Sequence, residues 1–333
     1  MNEFGLIDRY FRKAAGSNRA LLGIGDDCGL FSIPPGCHAA VTTDTLVSGV
    51  HFFPGTDPHD LGWKCLAVNL SDLAASGASP LFHTLALTLP EADPGFLEPF
   101  SQGMDELAQK AGSELIGGDT TRGPMTITIT AVGCVPAGED IRRSGARAGD
   151  QIWVTGDLGG AALAVADLSR GRETAPEFLR RLNHPEPRSL FGIRLRGTAT
   201  SMLDISDGLL ADLGHIMEAS GRGALLHLEQ IPLCPGAVPA AAAAPAPGDL
   251  PGLAPDLDLI PEETALRAAL TGGDDYELCF TAPPEKEMII REISQELGIP
   301  ASCIGSITAD PGIRALLRGT PYPLPQEGGY THF

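Results

Sequence analysis

The sequence predicts a two-domain protein of mixed α/β class, with mixed sheets flanked by helices. Three observations carry that expectation. The chain has 333 residues and 43% hydrophobic content, enough for two buried cores. Residues typical of strands alternate or cluster at 39–47, 82–89 and 125–135, and the stretches between them have helical spacing. A second block of strand and helix signals begins near 148, which sets the expected division at 1–147 and 148–333.

In chain order, the opening MNEFGLIDRYFRK reads as an amphipathic helix with Phe4, Ile7 and Phe11 on one side. It lacks the apolar block of a signal peptide. After the strand AAVTTDTLV, the stretch 58–77 places Leu66, Leu70 and Leu73 on the apolar side of a helix. Asn69, Asp72 and Ser76 fall on a different, polar side. A second helix is expected over 94–112. The second block starts with a turn (AGDQ), a strand (IWVTG) and a glycine-rich entry into an alanine-rich helix. A strand-to-helix passage at 201–217, a strand at 277–281 and a helix at 284–297 follow. Residues 234–256 are rich in proline and alanine and read as a surface excursion.

Composition excludes several functions. With 23 basic against 42 acidic residues the net charge is −19, which repels nucleic acid. No stretch approaches the roughly 20 apolar residues that cross a bilayer, so the expectation is a cytoplasmic protein without membrane partners. The seven cysteines show no CxxC spacing, which argues against a disulfide framework or a zinc site. Only Lys13, Lys64, Lys110 and Lys286 are lysines, so an anion bound here must be neutralised by arginine or by metal.

Five short clusters set acidic or hydroxyl residues beside strand ends and helix starts, mostly with glycine: GIGDD (23–27), TTDT (42–45), NLSD (69–72), GGDTTRG (117–123) and DISDG (204–208). Glycine lets backbone approach a ligand, and aspartate supplies the hard oxygen that Mg²⁺ prefers. Each cluster alone reads more readily as a helix cap or turn, and DISDG could simply cap the helix after it. Five of them in a lysine-poor chain point to phosphate held through several divalent cations. No GxxxxGK[ST] loop and no protein-kinase signature occurs. The loop VTGDLGGAALA (154–164) has the form of a phosphate cradle and equally that of ordinary strand-to-helix packing. Arg122, Arg142, Arg143 and Arg147 flank the clusters as local cations.

In this order the clusters resemble the thiamine-monophosphate kinase family, a branch of the aminoimidazole ribonucleotide synthetase-like ATP-binding superfamily. The likeness runs through LGIGDDC (22–28), TTDTLVSGVHF (42–52), LAVNLSDLAASGASP (66–80), LIGGDTTRGP (115–124), RSGARAGD (143–150), DISDGLLADLGHI (204–216) and LTGGDDYELCFT (270–281). Only the Pro/Ala-rich excursion stands outside it. The resemblance implies two domains, with amino-terminal domains of two subunits pairing into a shared barrel, a homodimer. It implies ATP as co-substrate, several Mg²⁺ ions, and phosphorylation of thiamine monophosphate to the diphosphate. Carried over by position, Asp27, Thr42, Thr43, Asp44, Asp72, Asp119, Asp204 and Asp207 hold metal. Gly118, Asp119, Arg143 and Ser206 contact nucleotide, and His51, Asp274 and Glu327 fall at the acceptor. Asp274 replaces a glutamate of the family and is one methylene shorter; Glu327 replaces an aromatic residue. Transfer is expected to be direct, without a covalent enzyme group, with Asp44, Asp119 and Asp207 the most critical carboxylates. The alternatives are another ATP-dependent synthetase of the superfamily and a non-catalytic dimer that binds nucleotide and Mg²⁺.

Overall fold

The structure, a computed structural model, describes residues 3–12, 20–238, 261–325 and 329–330. The chain divides into two compact units, 1–140 with 183–189, and 141–182 with 190–333. The stretch 239–256 of the expected excursion lies outside the described residues, and so does Glu327.

The first unit is a four-stranded sheet in the order β1-β4-β2-β3, formed by β1 (Cys37–Val47), β2 (Ser79–Leu89), β3 (Glu114–Arg122) and β4 (Thr126–Pro136). β3 runs parallel to β2, while β1 and β2 both pair antiparallel with β4. At the start of the chain, α1 (Glu3–Leu6) runs into a wider turn, Ile7–Phe11. The wide turn shifts the inward side by about one residue, so Leu6, Tyr10 and Phe11 are buried and Ile7 is half-exposed. The expected Phe4–Ile7–Phe11 side is corrected accordingly; the side chain of Phe4 is not among those described.

Helices α2 (Pro58–Ala75) and α3 (Pro94–Ala111) pack together, and α2 lies against the sheet. Each begins with an aspartate whose carboxylate accepts main-chain N–H groups, Asp57 for α2 and Asp93 for α3, with proline at the next position. α2 is buried almost all round: besides Leu66, Leu70 and Leu73, its Lys64, Asn69 and Ser71 are also enclosed. Of the expected polar side Asn69 is enclosed, while Asp72 and Ser76 are half-buried.

The second unit is a seven-stranded mixed sheet in the order β11-β10-β7-β9-β5-β8-β6. Its strands are β5 (Gln151–Thr155), β6 (Ser201–Asp204), β7 (Gly223–His227), β8 (Leu278–Ala282), β9 (Ala301–Thr308), β10 (Gly312–Leu317) and β11 (Thr320–Tyr322). After α4 (Gly160–Leu168) come two short helices, α5 (Pro176–Asn183) and α6 (Ser189–Arg194), and then α7 (Leu209–Ser220). Both α4 and α7 pack on the helix Pro261–Thr271. Ile152, Val154, Leu203, Leu213, Ile216 and Cys279 lie in one buried core. Residues 141–147 belong to this unit, where Met202 donates its N–H to the Arg142 carbonyl. Among the described residues no helix is long and apolar enough to cross a membrane.

Candidate functional site

In the first unit the alternation of β1 sends Thr42 and Asp44 to the side that α2 covers. The Thr42 hydroxyl donates a short hydrogen bond to Asp72 Oδ2 on α2. The main-chain N–H of Asp44 donates to Asn69 Oδ1 at 3.2 Å, and Asn69 Nδ2 donates to the Cys65 carbonyl at 3.1 Å. Asn69, fully buried, thus fixes the helix against the strand beside two carboxylates. Burial, with the negative charge of Asp72 added to it, pushes the Asp44 carboxyl up to about 6. A pair of carboxylates held at the cost of their own ionisation is what a divalent cation relieves, and Mg²⁺ commonly binds one or two carboxylates with the remaining positions taken by water and phosphate. The donor set fits that ion.

Thr43 is turned the other way. Its hydroxyl shares a 2.9 Å hydrogen bond with Thr130 on β4, and Thr45 does the same with Thr128. At the end of β1, His51 Nδ1 accepts the Val47 N–H at 3.0 Å while the His51 N–H donates to the Val47 carbonyl at 2.9 Å. This pairing makes Nδ1 the acceptor and Nε2 the protonated nitrogen of the neutral ring.

Gly118 and Asp119 lie on β3, the opposite edge of the sheet, with β4 and β2 between them and Asp44. That separation is three strand spacings, roughly 14 Å along the sheet. Gly118 has φ +155, and a Cβ there would stand 1.9 Å from the Leu85 carbonyl of β2, so only glycine permits the pairing. Asp119, the next residue, is exposed. The loop carrying Asp27 is closed by a hydrogen bond from Leu30 N–H to the Leu22 carbonyl at 2.8 Å. It leans on β3, since a Cβ on Gly29 would fall 2.9 Å from the Ile116 carbonyl. Asp27 and Asp119 therefore belong to the β3 edge, and Thr42, Asp44 and Asp72 to the β1 edge. Among the described residues no three His, Cys, Asp or Glu side chains form a ready metal cage.

In the second unit three sequence-distant stretches meet at DISDG. The Asp274 N–H donates to the Ser206 carbonyl at 2.9 Å, and the Tyr276 N–H donates to the Ile205 carbonyl at 2.8 Å. The Tyr330 N–H donates to the Asp207 carbonyl at 3.0 Å. Asp204, Ser206, Asp207 and Asp274 are thereby gathered at the end of β6, with Tyr330 beside them. Arg143 lies exposed on this unit, its carbonyl accepting the Ser220 hydroxyl at 3.4 Å.

Ser206 and Asp207 do not cap α7. Asp212, one turn into the helix, does so: its Oδ2 accepts the N–H groups of Ser206, Asp207 and Gly208 at 3.0, 3.0 and 3.1 Å. Burial lifts the Asp212 carboxyl to about 7, against the pull of these N–H groups and with the charge of Asp207 adding to the rise. The glycine-rich loop before α4 is filled in the same way. Both carboxylate oxygens of Asp275 accept the Gly159 N–H, at 3.0 and 3.2 Å. Two concavities of the kind that cradle phosphate are thus occupied by the chain's own carboxylates. Neither Asp212 nor Asp275 is among the residues expected from the sequence. The signal for Asp212 is an acid one turn after a DG helix start, where it can reach back to free N–H groups.

Fold and site together define a two-domain protein of the AIR synthase related class. The family model described as AIR synthase related protein, N-terminal domain, matches residues 25–135, and the C-terminal domain model matches 147–318. Within that class the chain is 44% identical to the thiamine-monophosphate kinase of Escherichia coli O157:H7, over 99% of this chain and 98% of that protein. It is 40% identical to a crystal structure of thiamine-monophosphate kinase from Stenotrophomonas maltophilia K279a, with TM-score 0.83, covering 96% of this chain and 98% of that one. A structure of AaThiL complexed with AMPPCP and TMP is similar at 26% identity and TM-score 0.75, covering 91% and 89% of the two chains. The chain belongs to the thiamine-monophosphate kinase family.

Proposed function

We propose that this chain phosphorylates thiamine monophosphate with ATP, giving thiamine diphosphate and ADP by direct transfer. The observation that carries the reading is the Asp44–Asp72 pair, two carboxylates fixed by Thr42 and Asn69 with Asp44 held above its ordinary range. The filled cradles at Gly159 and DISDG support it as well, since they leave phosphate to be held through cations. The AaThiL structure with an ATP analogue and TMP supports the substrate pair. An ATP user of this kind fits the cytoplasmic compartment expected from the sequence.

The acceptor's own phosphate oxygen is the nucleophile and is ionised at neutral pH, so no side chain need act as a base. Mg²⁺, when bound, neutralises the phosphates and the charge that develops on transfer. Thr42 and Asn69 orient Asp72 and the Asp44 strand; Asp119 and Asp27 offer oxygens from the β3 edge; Asp204 and Asp207 offer them from the second unit. His51, with Nε2–H as donor, and Asp274 hold the acceptor, and Arg143 reaches the nucleotide. Incubation of the purified protein with ATP and Mg²⁺, with and without thiamine monophosphate, tests the reading: ADP and thiamine diphosphate should form only with the acceptor. ADP formed equally without it would remove the kinase assignment. A radiolabelled phosphoenzyme trapped in single turnover would remove direct transfer.

The proposal includes a homodimer. β1 is an eleven-residue strand at the edge of its sheet with Val41 63% exposed, an edge suited to pairing with a second copy.

A further inference from the structure

The loop 272–277, GGDDYE, contains an unusual backbone. Asp274 has φ 66 and Tyr276 has φ 51, two left-handed residues on either side of Asp275. Neither is glycine, asparagine or a free turn tip, and each such residue costs of order 1 kcal/mol. Something must over-determine the conformation. Part of the answer is main-chain pairing with the DISDG turn, through the N–H groups of Asp274 and Tyr276. Gly273 allows it, since a Cβ there would lie 2.3 Å from the Ser206 carbonyl. The remaining tie is the Asp275 side chain, which crosses to the Gly159 N–H ahead of α4.

The consequence is carried by the residues on either side. The Tyr276 hydroxyl donates to Asp274 Oδ1 at 2.9 Å, so the carboxylate that takes the place of the family's longer glutamate is held from within its own loop. The next residue is also locked: Glu277 Oε2 accepts the Thr155 hydroxyl at 2.6 Å, and Arg181 lies 3.7 Å from Glu277 and 2.6 Å from Asp157. Burial, with Glu277 and Asp157 nearby, drives the Asp275 carboxyl well above the ordinary carboxylate range, against the Gly159 N–H. What the loop needs from residue 275 is accordingly an acceptor oxygen at Gly159, not a charge.

We propose that Asp275 is a positioning residue for the acceptor: by occupying the anion hole ahead of α4 it holds the left-handed turn that sets Asp274 and the Tyr276 hydroxyl. The proposal rests on the thiamine monophosphate kinase reading. Asp275→Asn keeps an oxygen for the Gly159 N–H, and Asp275→Ala does not. In steady-state kinetics of the full chain, Asp275→Ala should raise KM for thiamine monophosphate at least tenfold while KM for ATP stays within about twofold. Asp275→Asn should stay within about threefold of the unsubstituted protein in both. A loss shared equally between the two substrates, no change in either, or an Asp275→Asn as impaired as Asp275→Ala would overturn it. Amide hydrogen exchange reads the same point without activity. Asp275→Ala should speed exchange in peptides spanning 272–278 and leave the 206–208 amides, anchored by Asp212, unchanged; Asp275→Asn should leave both protected. Unchanged exchange at 272–278 in Asp275→Ala would sink the proposal. An unsubstituted protein inactive on thiamine monophosphate would sink only the kinase reading.

Discussion

Asp44→Asn should make the protein more stable and inactive at once. The Asp44 carboxyl stands at about 6 because burial and Asp72 oppose its charge. A folded value raised above the unfolded one means the folded chain binds the proton more tightly. Stability from this group is then fully present below the unfolded value of 3.8 and lost as pH rises to about 6. Above that, ionised Asp44 costs the fold up to about 3 kcal/mol, because each tenfold weakening of an acid corresponds to about 1.4 kcal/mol. Asparagine has the same shape and carries no charge, and the Asp44 N–H to Asn69 bond is made by main chain and survives. At pH 7.5 without divalent cations, Asp44→Asn should therefore melt roughly 5 °C higher, the result of about 1–3 kcal/mol of relief. The advantage should shrink to about half at pH 5 and to about a fifth at pH 4. Added Mg²⁺ should stabilise the unsubstituted protein at pH 7.5, do so less at pH 5 where protons compete, and do little for the variant. Turnover should fall at least about a hundredfold, the scale of losing one preorganised charge contact in a transition state. Thermal melts across pH with EDTA or Mg²⁺, beside a coupled ADP assay, read all of this. A variant less stable than its parent at pH 7.5, or one turning over within tenfold of it, would refute the reasoning.

Asp119→Ala changes an exposed residue on an edge strand, so unfolding free energy should move by less than about 0.5 kcal/mol while ADP formation is lost; a melt well below the parent's would show a structural role instead. His51→Ala should raise KM for thiamine monophosphate more than KM for ATP, and equal effects would move His51 away from the acceptor. Asp212→Ala strands three N–H groups at the DISDG turn and should cost about 2–4 kcal/mol in denaturant unfolding, with Asp212→Asn recovering most of it. Val41→Lys puts a charge on the exposed edge strand and should shift sedimentation from dimer toward monomer; an unaltered dimer would place the contact elsewhere.

Periodicity makes β1, β2, β4 and α3 legible, because each shows one side to a core; α2 is legible from its leucine spacing although it is buried almost all round. β3 is not legible. Its sequence ELIGGDTTR has the composition of a turn, and it becomes a strand only through parallel pairing with β2, a contact remote in sequence. The strands β7 and β9 to β11 are not expected from sequence and take their conformation from their neighbours in the seven-stranded sheet. The aspartate clusters are legible one by one, since glycine beside an acid is a local signal. Their distribution is not: alternation along β1 separates Thr43 from Asp44, but nothing local says that Asp44 and Asp119 take opposite edges of the sheet.

The same limit applies to what the glycine-rich segments hold. From sequence, TGDLGG and DISDG each allow a phosphate cradle or plain packing, and the choice depends on which side chain arrives from elsewhere. Asp275 arrives at Gly159 and Asp212 at DISDG, so a carboxyl side chain already takes up the N–H groups of both concavities before any ligand comes near. The lysines do not compensate: Lys64 is buried in α2, and Lys110 pairs with Glu106 over the Trp63 ring. A phosphate therefore finds neither set of N–H groups free. Under the proposed function, arginine and the cations brought with the nucleotide would supply the positive charge that these loops lack, so the acidic residues and the phosphates would belong to one design rather than two opposed ones.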